Sequence, residues 1–228
     1  MRETQTLGER CVEVAMAELK AKVKEEPLGS NTGKRIREYL YPCVRGDRNT
    51  RLGLTASNWC MAFASWCLFK AKRDDEVPPH GYRAGVVEAV ADTRDPKARW
   101  SGQWVPIEQV RTGKWVPREG DLAVYDRSQR GRPSTSWWRH VNRVVKYELD
   151  TGMFLAVGGN EQQKVTLAQH TIASDRMLGF IAYPASNVQA ITREELTPEE
   201  KVQISHLVYL TIDGIIRESV WELIEDDD

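Results

Sequence analysis

One short stretch of the chain, SNWCMAFASWC at residues 57–67, carries two cysteines with different prospects for chemistry. A largely apolar helix is predicted over residues 58–72, so Cys60 would lie at its N-terminus and Cys67 two turns further in. The dipole and free N–H groups of a helix N-terminus favour the thiolate, which is the nucleophilic form of cysteine. Cys60 is therefore the candidate nucleophile, although a cysteine among apolar side chains is more often structural than catalytic.

A nucleophilic cysteine needs a base, usually histidine, and a polar group that orients the imidazole ring. Among the four histidines, His140 opens the predicted strand HVNRVV directly after a polar loop, where a side chain can project into a cleft. Asn160 ends the next predicted strand, FLAVGGN, and could approach that ring from a neighbouring position. Spacing alone leaves this Cys–His–Asn arrangement and a purely structural reading equally open.

The elements that must position these residues change in character along the chain. Apolar side chains at helical spacing occur in the first part, and five short β-branched or aromatic runs follow between residues 121 and 183. This order indicates an α+β fold, with N-terminal helices packed on a small antiparallel sheet of five to six strands. The predicted helices cover residues 6–25, a short segment with Ile36, Tyr39 and Leu40, residues 58–72, and segments near 83–92 and 106–112.

Three segments are expected along the chain: a main domain over residues 1–186, a linker over 187–197 and a C-terminal helical extension over 198–228. The extension is preceded by a capping box with Thr197 as the N-cap and Glu200 reaching back. Its helix is apolar on more than one side, so we expect it to pack on the main domain or on a partner.

Composition and charge argue against several classes of function. The 32 Lys and Arg residues and the 33 Asp and Glu residues give a net charge of −1, which is a poor match for nucleic acid or an anionic membrane surface. No apolar run of about 18 residues occurs, so no membrane insertion is expected. The four cysteines include no CxxC pair, and no Asp cluster has calcium-loop spacing. We therefore expect no disulfide framework, no metal and no cofactor.

Six motifs stand in an order that is typical of a known family. They are GSNTGKRIREYL, NWCMAFASWCL, PREGDLAVYD, RHVNRVV, VGGNEQQKVTL and GFIAYP. Together they resemble the CHAP family, the cysteine, histidine-dependent amidohydrolases/peptidases, which are relatives of the NlpC-type papain-like hydrolases. The resemblance runs from about residue 28 to residue 184 and implies a papain-like CHAP fold for the main domain.

The resemblance implies a role for each residue that matches a motif of the family. Cys60 matches the nucleophile, His140 the general base and Asn160 the group that orients the imidazole. Some members carry a Glu two residues before that Asn. Here this position is Gly158, so Asn160 is expected to serve alone.

Four further residues are expected to stabilise the oxyanion or to bind substrate: Asn58, Trp59, Trp138 and Asn142. Asn58, or the backbone N–H of Cys60, suits the oxyanion because donors at a helix N-terminus favour developing negative charge. Asn142 shares a strand face with His140 and either crowds the helix that carries Cys60 or contacts substrate. Trp138 ends a long loop that is either a wall of the cleft or a loop anchored by aromatic residues.

The activity that the resemblance implies is peptidoglycan hydrolysis, by an amidase or endopeptidase acting on the stem peptide or the glycan–peptide bond. The N-terminus has no apolar signal-peptide core, so we expect synthesis in the cytoplasm without a Sec signal. The protein would then act on the cell wall or in the periplasm, either as a phage lysin during lysis or as an antibacterial effector after delivery. An immunity or adaptor protein is then a candidate partner of the C-terminal helix.

Two other classes of function remain open on the sequence. One is a catalytically inactive CHAP-like interaction module of a phage or secretion particle, which the unusual Arg139 and Asn142 beside the His-Val pair keep open. The other is a cytosolic protease or deamidase that acts on a protein.

Overall fold

The computed structural model describes residues 5–46, 58–95, 97, 99–127 and 139–184. Within them the chain forms an α+β fold of five helices and a six-stranded sheet, which confirms the predicted fold class. The helices are α1 Leu7–Lys20, α2 Lys34–Gly46, α3 Cys60–Ala71, α4 Val86–Arg94 and α5 Ile107–Arg111, and the strands are β1 Gln103–Pro106, β2 Leu122–Asp126, β3 Arg139–Glu148, β4 Met153–Glu161, β5 Lys164–Thr171 and β6 Met177–Ala182.

The chain divides into two units, residues 1–189 and 190–228. The predicted linker lies outside the described residues, and so does the predicted C-terminal helix. Of the helices that the structure does describe, none combines the length and the apolar character that crossing a membrane would require.

The sheet is antiparallel throughout, with the strand order β1-β6-β2-β3-β4-β5. Strands β2 to β6 are the five strands that the alternating runs predict. Strand β1 adds a short sixth strand at the edge beside β6. The two strands that carry the candidate histidine and asparagine, β3 and β4, are neighbours in the middle of the sheet.

Each face of the sheet is covered by a separate apolar cluster, as expected where side chains alternate between faces. On one face, Val124 and Val141 pack in a cluster that includes residues of α1, α3 and α4. On the other face, Ala123 and Val144 belong to a cluster that includes Ile107 and Val110 of α5. Helix α3 therefore lies against the sheet through a fully buried interface.

Aromatic side chains hold the first turns of α3 in place. The ring of Trp59 stacks on Tyr39 of α2 at a centroid distance of 5.8 Å, and Trp66 meets the same tyrosine edge-on at 5.1 Å. The indole N–H of Trp59 donates to Oε1 of the buried Glu25 at 3.0 Å. Through these contacts the two tryptophans anchor this helix against its neighbours.

Helix α1 ends at Lys20 rather than near residue 25, because the chain turns at Lys22, which has a φ of 54°. The extended residues that follow form a bridge from Lys24 to Lys164 of β5. This turn carries Glu25 beneath the start of α3, where Trp59 reaches it.

Strand β4 approaches α3 most closely at Gly159. A Cβ atom at this position would lie 2.5 Å from Cζ3 of Trp59 and 2.7 Å from Cβ of Phe63. Both distances are too short for carbon atoms, so the absence of a side chain lets the helix N-terminus sit directly on the strand.

Substitution of Gly159→Ala should force α3 away from β4 and lower the free energy of unfolding by about 1–3 kcal/mol, the usual range for overpacking. Urea unfolding followed by tryptophan fluorescence would measure this loss. Val87→Ile adds a methylene at a residue of α4 that is 37% exposed, and it should change stability by less than about 0.5 kcal/mol. Equal stability of the Gly159 variant and the wild type would contradict the close packing.

Candidate active site

Cys60 is the first residue of α3, as the sequence predicts, and its side chain is 4% exposed. Trp59 is the N-cap residue, and no side chain caps the helix. The N–H groups of a first helical turn have no partner within the helix. The sulfur therefore lies beside backbone donors that favour negative charge.

His140 is brought to Cys60 by the first residues of β3. Burial, the largest single influence, raises the pKa of the Cys60 thiol, but the charge of His140 and its interaction with the sulfur, together with smaller contributions, lower the pKa below its ordinary value. Arg127 and the backbone N–H of Val141 act in the same direction. Burial would likewise lower the pKa of His140, yet the negative charge of Cys60 raises it. The two groups thus favour a thiolate and an imidazolium.

The other three cysteines have the opposite character. Burial raises the pKa of Cys11, raises that of Cys43 to about 12, and raises that of Cys67. All three are fully buried. A thiol that stays protonated and inaccessible is inert, so these three cysteines are packing residues.

Glu161 is the acidic group beside His140, and sequence reasoning missed it. Its Oε2 lies 3.9 Å from Nε2 of His140 and accepts a hydrogen bond of 2.9 Å from Nδ2 of Asn142. Burial would raise the pKa of Glu161, but the interactions with His140 outweigh it and lower the pKa. Glu161 is therefore a carboxylate that faces the imidazole ring.

The imidazole ring of His140 is not fixed by hydrogen bonds within the part of the chain that the structure describes. Neither nitrogen of His140 makes a hydrogen bond of normal geometry to any residue that the structure describes. Catalytic hydrogen bonds in ligand-free sites are often long and shorten only when substrate is bound. The ring is held at this stage by the charges of Cys60 and Glu161 on either side.

A bulge at the end of β4 brings Glu161 to this position. Gly158 pairs with Thr166 and Glu161 pairs with Lys164, so β4 has one residue more than β5 between these pairs. Asn160, with a φ of 56°, takes up the irregularity. An extra residue reverses the alternation of side chains that follows it, so the bulge turns Glu161 toward His140 and Asn142.

The space beside Gly158, where a side chain would lie, is occupied by a neighbouring residue. A Cβ atom there would lie 1.8 Å from Oδ1 of Asn142. Asn142 thus occupies the space of a side chain at residue 158, and its amide holds the carboxylate of Glu161 instead. The sequence signal that could have revealed this is the Glu directly after GGN, since a glycine pair before Asn favours a bulge.

Asn160 does not face the imidazole ring but braces the chain that enters α3. Its Nδ2 donates to Oδ1 of Asn31 and to Oδ1 of Asn58, both at 3.1 Å. With the amide turned over, its nitrogen donates to Glu25 at 3.2 Å and its oxygen accepts from the backbone N–H of Trp59 at 3.2 Å. In both orientations Asn160 joins β4 to the residues just before Cys60.

The remaining predicted residues have different degrees of access to a substrate. Asn58 is exposed beside Cys60, so its amide is available to an oxyanion. Trp59 is fully buried, and Asn142 is 1% exposed, so both contact protein rather than solvent. Asn142 also lies 3.2 Å from Nε2 of His170. Trp138 lies outside the described residues.

Comparison with known proteins yields no match to any protein-family model, curated protein or solved structure. Within the described part of the chain, no group of three or more His, Cys, Asp or Glu residues could hold a metal ion. What supports a function is therefore the chemistry of the site itself.

The charge of His140 should make Cys60 the selective target of alkylation near neutral pH. Iodoacetamide followed by peptide mapping should label Cys60 and leave the other cysteines of the folded protein unmodified. In His140→Gln, burial dominates and the pKa of Cys60 rises, so labelling should slow by roughly one to two orders of magnitude. Arg111→Gln, which removes a positive charge from an exposed residue of α5, is the control and should label at the wild-type rate. Similar labelling of Cys60 in all three proteins would contradict a charge pair with His140.

Glu161, and not Asn160, should sustain the positive charge of His140. Glu161→Gln removes the carboxylate that raises the pKa of His140, so the midpoint of thiolate formation should shift to higher pH. Asn160→Gly removes an amide that does not face the ring while tolerating the positive φ, and it should shift that midpoint less than Glu161→Gln does. The absorbance of the thiolate during a pH titration measures this midpoint in both variants. A shift in the Asn160 variant alone would reverse the assignment.

Proposed function

We propose that this protein is a cysteine amidohydrolase that cleaves an amide bond of peptidoglycan. The observation that carries the proposal is the placement of Cys60 at the start of α3 and of His140 in β3 as a buried, interacting pair, in which the pKa of the thiol is lowered and that of the imidazole is raised. Pairs of titratable groups whose pKa values are shifted by burial and by each other are typical of functional sites. The resemblance of the sequence motifs to the CHAP family supplies the substrate class.

In the first half of the reaction, the Cys60 thiolate attacks the carbonyl carbon of the scissile amide. The negative charge that develops on the carbonyl oxygen is stabilised by backbone N–H groups at the start of α3 and by the side-chain amide of Asn58. His140 gives its proton to the leaving nitrogen as the C–N bond breaks. The acyl group remains on Cys60 as a thioester, and the amine leaves.

In the second half, His140, now neutral, takes a proton from water as the water oxygen attacks the thioester carbon. The C–S bond breaks, the carboxylic acid product leaves, and the thiolate and imidazolium are restored. Glu161, whose Oε2 lies 3.9 Å from Nε2 of the ring, stabilises the positive charge of His140 in both halves. Glu161 is thus a positioning residue, and Cys60 and His140 are the catalytic residues.

Arg139 and Asn142 are the two residues that kept an inactive interaction module open on the sequence, and each has a contact of its own in the fold. Arg139 lies 3.2 Å from Asp126 of the neighbouring strand. Asn142 fills the space over Gly158 and holds Glu161. Neither residue separates Cys60 from His140, so the enzyme is the better-supported class. We further propose that the protein reaches the wall after phage lysis or after delivery as an effector.

Substitution of Cys60→Ala should abolish the loss of turbidity of purified sacculi, because the alanine has no nucleophile. The fold should be retained, as judged by circular dichroism, since only one sulfur atom is removed. Cys67→Ala, in the same helix, is the control and should keep activity if its folded fraction is maintained. Mass spectrometry of the released muropeptides would identify the bond that is cut. Full activity of the Cys60 variant would overturn the mechanism, and no hydrolysis by the wild type would overturn the substrate class.

A further inference from the structure

Arg127 places a positive charge at the mouth of the site. It directly follows β2 and is exposed, and its two terminal nitrogens, Nη1 and Nη2, donate to the backbone carbonyl of Asn160 at 3.3 and 3.4 Å. Its charge lowers the pKa of Cys60 and also that of His140. The guanidinium is therefore close enough to act on both members of the catalytic pair.

The carboxylates of the site are engaged with other groups. Asp126, the preceding residue, lies 3.2 Å from Arg139, and Glu161 interacts with His140 and Asn142. Glu25 accepts from the indole of Trp59. Within the described part of the chain, the hydrogen bonds of Arg127 go to one neutral carbonyl oxygen. They are long, and a guanidinium carries five N–H donors, so donors remain for a ligand.

The hydrogen bonds to the carbonyl oxygen of Asn160 fix the position of the Arg127 guanidinium. Asn160 is the bulge residue of β4, and its side chain is bonded to the residues before Cys60. Arg127 is therefore tied to the same rigid frame that positions the thiol. A planar guanidinium held in this way suits bidentate binding of a carboxylate, which is an interaction of specific geometry.

We propose that Arg127 binds a free carboxylate of the substrate beside the scissile amide, and that the site therefore prefers amides with a neighbouring carboxylate. This inference rests on the proposed amide hydrolysis at Cys60, and it adds a specificity-determining residue to that reaction. The binding energy would position the carbonyl carbon over the sulfur. A neutral or amidated substrate would lose that contact.

Iodoacetate and iodoacetamide provide a direct test, because they alkylate the same sulfur and differ in a carboxylate against a neutral amide. The measured quantity is the ratio of the two alkylation rates at Cys60. A change in the thiolate fraction alters both rates equally and cancels in this ratio. The wild type should show a higher ratio than free cysteine, and raised salt should lower it because exposed charges are screened.

Arg127→Gln should lower this ratio by roughly three- to tenfold, the range expected for loss of one partly exposed charge contact. Arg127→Lys, which keeps the charge but loses the bidentate geometry, should retain an intermediate ratio. Arg111→Gln is the matched control, because Arg111 is also exposed and also donates to backbone carbonyls, of Ile172 and Ser174. It should leave the ratio unchanged.

The outcomes separate this inference from the proposed function. Rapid alkylation with the same ratio in wild type and Arg127→Gln would overturn the carboxylate site and leave the hydrolase proposal standing. A lowered ratio in the variant, together with no release of muropeptides by the wild type, would support the carboxylate site and overturn peptidoglycan as substrate. Resistance of Cys60 to both reagents would overturn both proposals.

Discussion

The interaction between the buried Cys60 and His140, which favours a thiolate and an imidazolium, is the one on which the rest of the site depends. Burial penalises each charge separately, and only the partner's charge offsets that penalty. The pair therefore exists only while α3 and β3 hold the two side chains together. A small displacement of either element would leave a protonated thiol and a neutral histidine.

The frame that prevents such a displacement is built around the start of α3. Trp59 lies between Tyr39 and the buried Glu25, and Gly159 allows β4 to contact the first helical turn. Asn160 then joins the strand to the residues before the helix. These contacts come from three separate regions of the chain, so the position of the sulfur depends on most of the domain being folded.

The bulge in β4 determines how several residues of this site are oriented. It directs Glu161 toward the histidine ring, presents the carbonyl of Asn160 to Arg127, and leaves the side chain of Asn160 free to brace α3. One irregular residue thereby connects the surroundings of His140, the position of Cys60 and the proposed carboxylate contact. Bulges are common beside active sites because they redirect side chains without disturbing the rest of the sheet.

The sequence by itself determined the α+β order, the five main strands, the burial of Cys67 and the placement of Cys60 at a helix N-terminus, because these follow from local periodicity and turn signals. It could not determine that Glu161 rather than Asn160 faces His140. That difference depends on one extra residue in a strand, and a shift of one residue exchanges the two faces. The contact of Arg127 with Asn160, on which the proposed carboxylate site rests, could not be predicted either, since nothing near Arg127 in the sequence links it to this part of the fold. Only the tertiary structure decided these two points, because charges that are distant in sequence interact when the fold brings them together.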